Sequence, residues 1–142
     1  MLQSIEEACV NFCIHQIRKP HEVMGGISKM RTLIAYIDID AQDKKSYRVY
    51  IASSLGFMQQ VANIFLEEDE SDEETLIDMT LETANLIVGS AKVIADEMGE
   101  NPFTIGTPSF LKFDLFDFAY SEAKTVCIED DCISVAIKEI NG

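Results

Sequence analysis

Residues 72–98 read DEETLIDMTLETANLIVGSAKVIADEM, a stretch without proline whose one glycine is internal. Its apolar residues recur at the period of about 3.6 residues that is typical of one buried face of an α-helix. That face consists of Leu76, Ile77, Leu81, Ala84, Ile87, Val88, Ala91, Ala95 and Met98. The stretch therefore predicts a long helix that packs against the rest of the domain, and the other elements are placed around it.

The opposite face of this predicted helix carries an unusual set of side chains. At roughly 100° per residue, Glu82, Asn85 and Gly89 lie close together, each a helical turn from the next, and Asp78 lies one turn before Glu82. The flanking positions are apolar and are expected to point away from the main core: Met79, Leu86 and Val93. A carboxylate, an amide and a glycine, bordered by apolar residues, predict a surface that binds a partner and takes part in its chemistry.

Length and composition favour one domain, residues 1–142. The chain has 142 residues, 47% of them hydrophobic, which is enough to build a sizeable core. No apolar run approaches the ~18 residues of a membrane-spanning helix, and acidic residues replace the basic start of a signal peptide. We therefore expect a soluble, cytoplasmic protein without a membrane partner.

The formal net charge of −14 argues against nucleic acid as a partner, because its phosphates would be repelled. The simplest explanation of the acidity is solubility, and steering towards a partner with a basic face is the alternative. The pair Gly25 and Gly26 precedes a predicted strand, whereas a phosphate-binding loop precedes a helix. Nucleotide binding therefore has no support.

The four cysteines favour reduced core thiols over a disulfide framework, because nothing in the sequence indicates secretion: Cys9, Cys13, Cys127 and Cys132. Cys9 and Cys13, with His15 nearby, have the spacing of part of a metal site. Neither a CxxC nor an HExxH pattern occurs, so we expect no metal and no cofactor bound by this chain. The two histidines, His15 and His21, are expected at the surface or at a helix end.

The remaining elements follow from apolar periodicity and turn residues. They cover, in order, 2–18 (helix), 27–39 and 47–51 (strands of a hairpin with a polar turn at 42–45), 55–66 (helix), 72–98 (the long helix), and 111–118, 124–128 and 133–140 (strands). The acidic run at 67–74 is expected to be a solvated loop. This order predicts an α/β (α+β) two-layer domain with a mainly antiparallel sheet covered by helices.

Residues 78–110, DMTLETANLIVGSAKVIADEMGENPFTIGTPSF, resemble the chemotaxis phosphatase CheX, within the CheC/CheX/FliY family. The resemblance is carried by Glu82-x-x-Asn85-x-x-x-Gly89 on a long helix, followed by a glycine and a loop with Thr107-Pro108. The order of helices and strands also fits over nearly the whole chain. The acidic run at 67–74 is unlike a typical member and bears on which partner is recognised.

The resemblance implies an activity: hydrolysis of the aspartyl phosphate of a CheY-like response regulator. Glu82 would pair with the active-site lysine of the receiver domain, and Asn85 would enter the receiver's site and orient the attacking water. Mg²⁺ would be held by the receiver and not by this chain. Gly89 would allow close approach of the partner's backbone, and the flanking apolar residues would supply contact area.

The resemblance also implies one site per chain, as in CheX, and a homodimer whose sheet continues across the two chains. In the second helix, Gln60-x-x-Asn63 has the spacing of the motif but glutamine in place of glutamate, and we interpret it as structural.

Three interpretations of the long helix remain open from the sequence. The first is a phosphatase for a phosphorylated receiver, and the second is a non-catalytic adaptor that binds a receiver or a flagellar switch protein. The third is a purely structural dimer with this helix face as its interface, so that Glu82 and Asn85 are buried against another protomer. Against all three stands the simpler alternative that Glu82 and Asn85 are ordinary surface residues and Gly89 is a helix–helix contact.

Overall fold

The computed structural model describes residues 2–41, 44–99 and 102–141. Helix α1 spans Leu2–Phe12 and continues as a π-helical turn, Cys13–Ile17. Helix α2 spans Leu55–Leu66 and helix α3 spans Glu73–Glu97. The strands are β1 (Glu22–Gly25), β2 (Thr32–Ala41), β3 (Ser46–Ser53), β4 (Phe103–Ile105), β5 (Ser109–Asp114), β6 (Glu122–Ile128) and β7 (Asp131–Asn141).

The seven strands form one sheet in the order β1-β6-β7-β3-β2, with β4 and β5 both pairing along β2. Every pairing is antiparallel. The two-layer, mainly antiparallel architecture expected from the sequence is therefore confirmed. The sequence analysis missed β1 and β4, which have only four and three residues and therefore too little alternation to be recognised.

The three helices pack on one face of the sheet, with α1 over β6 and β7, α3 over β2, and α2 between α3 and β7. Alternate residues of β2 such as Leu33, Ile37 and Ile39 point into the resulting core and are fully buried. Burying such side chains stabilises the fold by about 1.5–3 kcal/mol each. The long helix is thus held against the centre of the sheet by the largest apolar cluster.

The other face of the sheet is covered by a smaller aromatic cluster. The segment between β5 and β6 places Phe116 and Phe118 on Tyr50 of β3, with ring centroids 5.2 Å apart in both pairs. Edge-to-face and stacked rings at this spacing are favourable. The bounds predicted for the strand at 111–118 are therefore wrong. Strand β5 ends at Asp114, and the chain then crosses the face of the sheet.

The prediction of four reduced thiols is wrong for two of them. Cys127 and Cys132 form a disulfide across the β6–β7 hairpin, where the two residues are register partners. Cys9 and Cys13 are free and buried, as expected. Their mutual hydrogen bond, together with burial, raises the pKa of the Cys9 thiol well above its ordinary value.

The turn predicted at 42–45 lies partly outside the described residues, because only Lys44 and Lys45 are described. No helix in the described parts of the chain is long and apolar enough to cross a membrane.

Candidate functional site

Helix α3 begins and ends at well-defined caps. The Asp72 carboxylate accepts a hydrogen bond of 2.8 Å from the backbone N–H of Thr75, and Glu73 and Glu74 occupy the first turn. Carboxylates here complement the positive end of the helix dipole. The bond to Thr75 lowers the pKa of Asp72 below its ordinary value. The chain leaves the helix at Gly99, which has φ of +73°.

The buried side of α3 is wider than the apolar pattern indicated. Most of the predicted face is buried, but Met98 is exposed, and Ile77 and Leu81 are only partly buried. Thr80 and Thr83 are fully buried instead. Their hydroxyls donate to the carbonyl oxygen of Leu76 (2.8 Å) and to the sulfur of Met58 in α2 (3.6 Å). A threonine whose hydroxyl is bonded within the helix behaves as a core residue, which hydrophobicity alone does not reveal.

Asp78, Glu82 and Asn85 lie on the exposed side of α3. None of the three makes a hydrogen bond or ion pair with another described residue. Residues three apart on a helix have Cβ atoms about 5–6 Å apart. The chain therefore presents a carboxylate and an amide side by side, with their hydrogen-bonding capacity unused by the domain.

Gly89 lies one helical turn beyond Asn85. We call the row formed by Asp78, Glu82, Asn85 and Gly89 the exposed line of α3. A Cβ atom built on Gly89 meets no heavy atom within 4 Å outside its own local backbone. Among the described residues, no other helix of the domain therefore packs on Gly89, and a helix–helix contact with a second copy stays a prediction. Its missing side chain leaves a shallow, open stretch of helix surface instead.

The apolar border of the line differs from the expectation at one position. Val93 and Leu86 are 57% and 40% exposed, as expected. Met79 is only 7% exposed and belongs to the main core, so the expectation that it points away from the core is wrong. On a helix at 100° per residue, Met79 lies roughly 120° from Asn85, which places it towards α1. It cannot contact a partner from there without local unfolding.

Helix α1 borders the exposed line of α3, which the sequence did not indicate. A groove of about 230 Å³ lies between the two helices, beside Leu86 and Ser90. Its opposite wall includes Asn11 of α1 and, in the π-helical turn, His15 and Gln16. His15 is exposed, as expected. No motif links residues so far apart in sequence, and only the packing of α1 on α3 brings them together.

The corresponding pair in α2 is used inside the domain. Gln60 donates to the Asp131 carboxylate (2.9 Å) and accepts from Lys19 (3.0 Å), while Asn63 donates to Asp69 (2.6 Å). These bonds fix the hairpin tip and the acidic loop to α2. They support the structural interpretation of Gln60-x-x-Asn63.

Among the described residues, no group of three or more His, Cys, Asp and Glu side chains is placed to hold a metal ion. The exposed line of α3 lies on the outer surface of a helix, which is convex. A carboxylate and an amide on such a surface suit a macromolecular partner that brings its own reactive group, since small-molecule sites are concave. The fold and the exposed line together define a class: a two-layer α/β domain with one helix edge whose polar side chains have no partner among the described residues.

A family model narrows this class. Residues 35–129, more than half of the chain, match the model described as chemotaxis phosphatase CheX. The chain belongs to the CheX family of chemotaxis phosphatases. No curated protein sequence matches the chain.

Solved structures show the same fold over almost the entire length. The chemotaxis protein CheX of Vibrio vulnificus is 16% identical, with a TM-score of 0.79 and 96% of each chain covered. A putative chemotaxis protein of Desulfovibrio vulgaris Hildenborough is 19% identical, with a TM-score of 0.72 and 97% and 95% covered. A CheX from Borrelia burgdorferi, solved as a CheX–CheY–BeF3–Mg²⁺ complex, is 15% identical, with a TM-score of 0.71 and 97% of each chain covered.

Proposed function

We propose that this chain is a phosphatase that hydrolyses the aspartyl phosphate of a CheY-like receiver domain. The observation that carries the proposal is the exposed pair Glu82 and Asn85, which is free of internal partners on the open edge of α3. Membership of the chemotaxis phosphatase family supports the reaction class. The Borrelia burgdorferi complex, which contains CheY, supports the type of partner.

Asn85 is the residue that we assign to the attacking water. A primary amide offers both a donor and an acceptor, so it can hold a water molecule in one orientation. It carries no charge and therefore does not repel the oxygens of the phosphoryl group. Phosphoryl transfer depends chiefly on positioning and charge stabilisation, so one well-placed amide is a sufficient contribution from this chain.

In the reaction, the oxygen of water bonds to phosphorus as the bond between phosphorus and the aspartyl oxygen breaks. The bonding electrons stay with the receiver's carboxylate, and the water protons leave with inorganic phosphate or to solvent. Charge on the transferring group is neutralised by the receiver's own Mg²⁺ and lysine. No cofactor of this chain enters the reaction.

Glu82 is the residue that we assign to docking. One helical turn before Asn85, its carboxylate is placed to pair with the receiver's lysine while Asn85 lies at the phosphoryl group. Gly89 leaves room for the receiver's backbone, and Leu86 and Val93 supply the apolar border. Asp78 is exposed at the other end of the line; we propose it for a second charge contact with the receiver, and simple solvation of its carboxylate is the alternative.

A homodimer that acts in the cytoplasm is part of the proposal. The end strand β1 is exposed over its whole length, which supports a sheet continued by a second copy. Burial of the α3 line in such a dimer would exclude the receiver, so the proposal requires the dimer to form elsewhere.

The proposal is tested by following the loss of phosphate from a phosphorylated CheY-like receiver, with and without the purified chain. Three proteins are compared: wild type, Asn85→Ala, and Asn63→Ala as the matched control on α2. We expect acceleration by wild type and by the control, and none by Asn85→Ala. Full activity of Asn85→Ala would exclude the assigned role of Asn85.

Binding of the same receiver, measured by titration, separates catalysis from an adaptor function. A chain that binds the phosphorylated receiver without accelerating phosphate loss would be an adaptor. A chain that does neither would leave the structural dimer as the function of this face.

A further inference from the structure

The last turn of α2 exposes three consecutive large apolar side chains, which we call the α2 patch: Ile64, Phe65 and Leu66. They are 41%, 40% and 45% exposed, whereas Val61 and Ala62 in the preceding turn are fully buried. Phe65 is fixed by stacking on Phe12, with ring centroids 6.3 Å apart. Single exposed apolar residues are ordinary, but a contiguous patch at a helix end is typical of an interaction site.

A groove adjoins the α2 patch, between α2 and the π-helical turn. It has a volume of about 370 Å³ and is lined by two apolar side chains, Ile17 and Ile64, and by the polar side chains of Lys19, Gln59, Gln60, Asn63 and Asp69. Asp69 accepts a hydrogen bond from the amide of Asn63, and the ammonium of Lys19 donates to Gln60. A carboxylate in the same groove as Ile64 suits a long basic side chain, whose stem packs on the isoleucine while its charged group forms an ion pair with Asp69.

The acidic run 67–74 borders the same patch with seven carboxylates in eight residues. The loop is fixed to α2, because Gln59 donates to the carbonyl of Glu68 (3.1 Å) and accepts from the N–H of Ser71 (2.9 Å). No ion pair of the described residues involves a carboxylate of this run. The negative charge around the patch is therefore not neutralised within the domain.

We propose that the α2 patch is a docking site for a basic amphipathic helix of another protein. Apolar side chains of that helix would cover Ile64, Phe65 and Leu66, and its Lys and Arg residues would reach Asp69 and the acidic run. A second copy of this chain does not fit, because two acidic runs would then face each other. The negative charge around the α2 patch is complementary to a basic partner and therefore favours one.

This site is separate from the proposed phosphatase surface. Thr83 contacts Met58 of α2, and at 100° per residue it lies roughly 160° around α3 from Asn85. Helix α2 therefore lies behind the exposed line of α3. The chain can bind a receiver on α3 and a basic helix on α2 at the same time, and the second site does not depend on the first.

The experiment titrates the full chain with a labelled amphipathic peptide of Leu and Lys, about 18 residues or five helical turns long. We expect binding that weakens at least about tenfold in the double variant Ile64→Ser, Leu66→Ser, as for residues that anchor an interface. The matched control is Leu111→Ser, Leu115→Ser, which replaces two exposed leucines elsewhere. We expect it to bind as wild type does.

The acidic run is tested with Glu67→Gln, Glu70→Gln, which keeps the side-chain shapes. We expect weaker binding and a smaller dependence on salt, since two charges are lost. A peptide with Glu in place of Lys should not bind. The proposal would be overturned if the Ile64, Leu66 variant bound the peptide as tightly as wild type does. It would also be overturned if wild type associated with itself and this variant did not.

Discussion

Helices α2 and α3 carry polar pairs at the same spacing, Gln60-x-x-Asn63 and Glu82-x-x-Asn85, but only the pair in α2 is hydrogen-bonded within the domain. In α2, Gln60 and Asn63 are hydrogen-bonded to Asp131, Lys19 and Asp69 within the domain. In α3, Glu82 and Asn85 have no internal partner among the described residues. The spacing of a polar pair on a helix therefore does not identify a site. What distinguishes the two pairs is whether the domain already satisfies them.

The glycines of the two helices differ in the same way. A Cβ atom on Gly56, in the first turn of α2, would collide with the carboxylate of Asp131, which Gln60 holds in place. A Cβ atom on Gly89 would meet nothing within 4 Å. The glycine at position 56 is therefore explained by a close contact within the domain. Gly89 lowers the helix propensity of α3, and no contact among the described residues explains it, which agrees with the proposal that a partner approaches here.

The largest expected effect comes from a charge placed at the phosphoryl group. Asn85→Asp keeps the size of the side chain but repels the phosphoryl oxygens and removes the donor that holds the water. We expect the rate of receiver dephosphorylation to fall about a hundredfold or more, as for a misplaced catalytic contact.

The matched control is Asn63→Asp in α2, which faces Asp69 and should cost about 1 kcal/mol of stability through a lost hydrogen bond. Its effect on the dephosphorylation rate should be negligible. Equal rates for the two variants would show that α3 is not the working helix.

The next effect comes from Glu82→Gln, which converts the α3 motif into the Gln-x-x-Asn of α2. Loss of the carboxylate removes the proposed ion pair with the receiver's lysine, so we expect kcat/KM to fall about tenfold, or about 1.4 kcal/mol. The loss should appear mainly in KM and should shrink as salt concentration rises. An unchanged KM at low salt would remove Glu82 from the docking contact.

Substitutions of the two glycines are expected to have smaller effects, and their effects on the free energy of unfolding should have opposite signs. Gly89→Ala should raise the free energy of unfolding by about 0.5–1 kcal/mol through helix propensity, while kcat/KM falls severalfold because a methyl group meets the receiver. Gly56→Ala should lower the free energy of unfolding by about 1 kcal/mol or less, because the Asp131 carboxylate must move away and lose its hydrogen bond to Gln60, while the gain in helix propensity offsets part of this cost. Denaturant unfolding and the dephosphorylation assay measure both quantities. Stabilisation by Gly89→Ala without any loss of activity would mean that the partner does not approach this position.

Much of the fold is predictable from the sequence because long, periodic elements determine it. The periodicity of residues 72–98 and 55–66 predicts the length and caps of both helices, which are found with those bounds to within a residue or so. Their buried faces are predicted only in part, since Leu55, Phe65 and Met98 are exposed. The short strands β1 and β4 are missed because they gain order only by pairing with β6 and β2. The Cys127–Cys132 disulfide is missed because it depends on the register of the last hairpin.

The exposed line of α3 is predictable for Glu82, Asn85 and Gly89, since helical geometry alone places them together. Met79 is misplaced because a position at the border of an apolar face can be buried by a neighbouring helix, here α1. Nothing in the sequence predicts that His15 and Gln16 form one wall of the groove beside the exposed line of α3. Such contacts arise from tertiary packing, which local periodicity does not encode.

The smallest expected effect contrasts the two N-caps. Asp72 accepts from Thr75, and its folded-state pKa is lowered below the ordinary value of 3.8. A lowered pKa means that the charged cap contributes stability above pH 3.8, and that this contribution is lost as the pH falls through the folded-state pKa. Asp72→Asn keeps a capping side chain but removes the titration. We therefore expect a melting temperature near that of wild type at low pH and a small deficit at neutral pH.

The cap of α2 supplies the control. Ser54 accepts from the N–H groups of Phe57 and Cys132, both at 3.1 Å, and cannot titrate. Ser54→Ala should destabilise the protein by about 1–2 kcal/mol at every pH, because it removes the cap and leaves the Cys132 N–H without its acceptor. The difference in melting temperature between wild type and each variant, measured from neutral pH to below pH 3.8, separates the two behaviours. A deficit of Asp72→Asn that does not change with pH would show that its effect is geometric, as at Ser54, and not electrostatic.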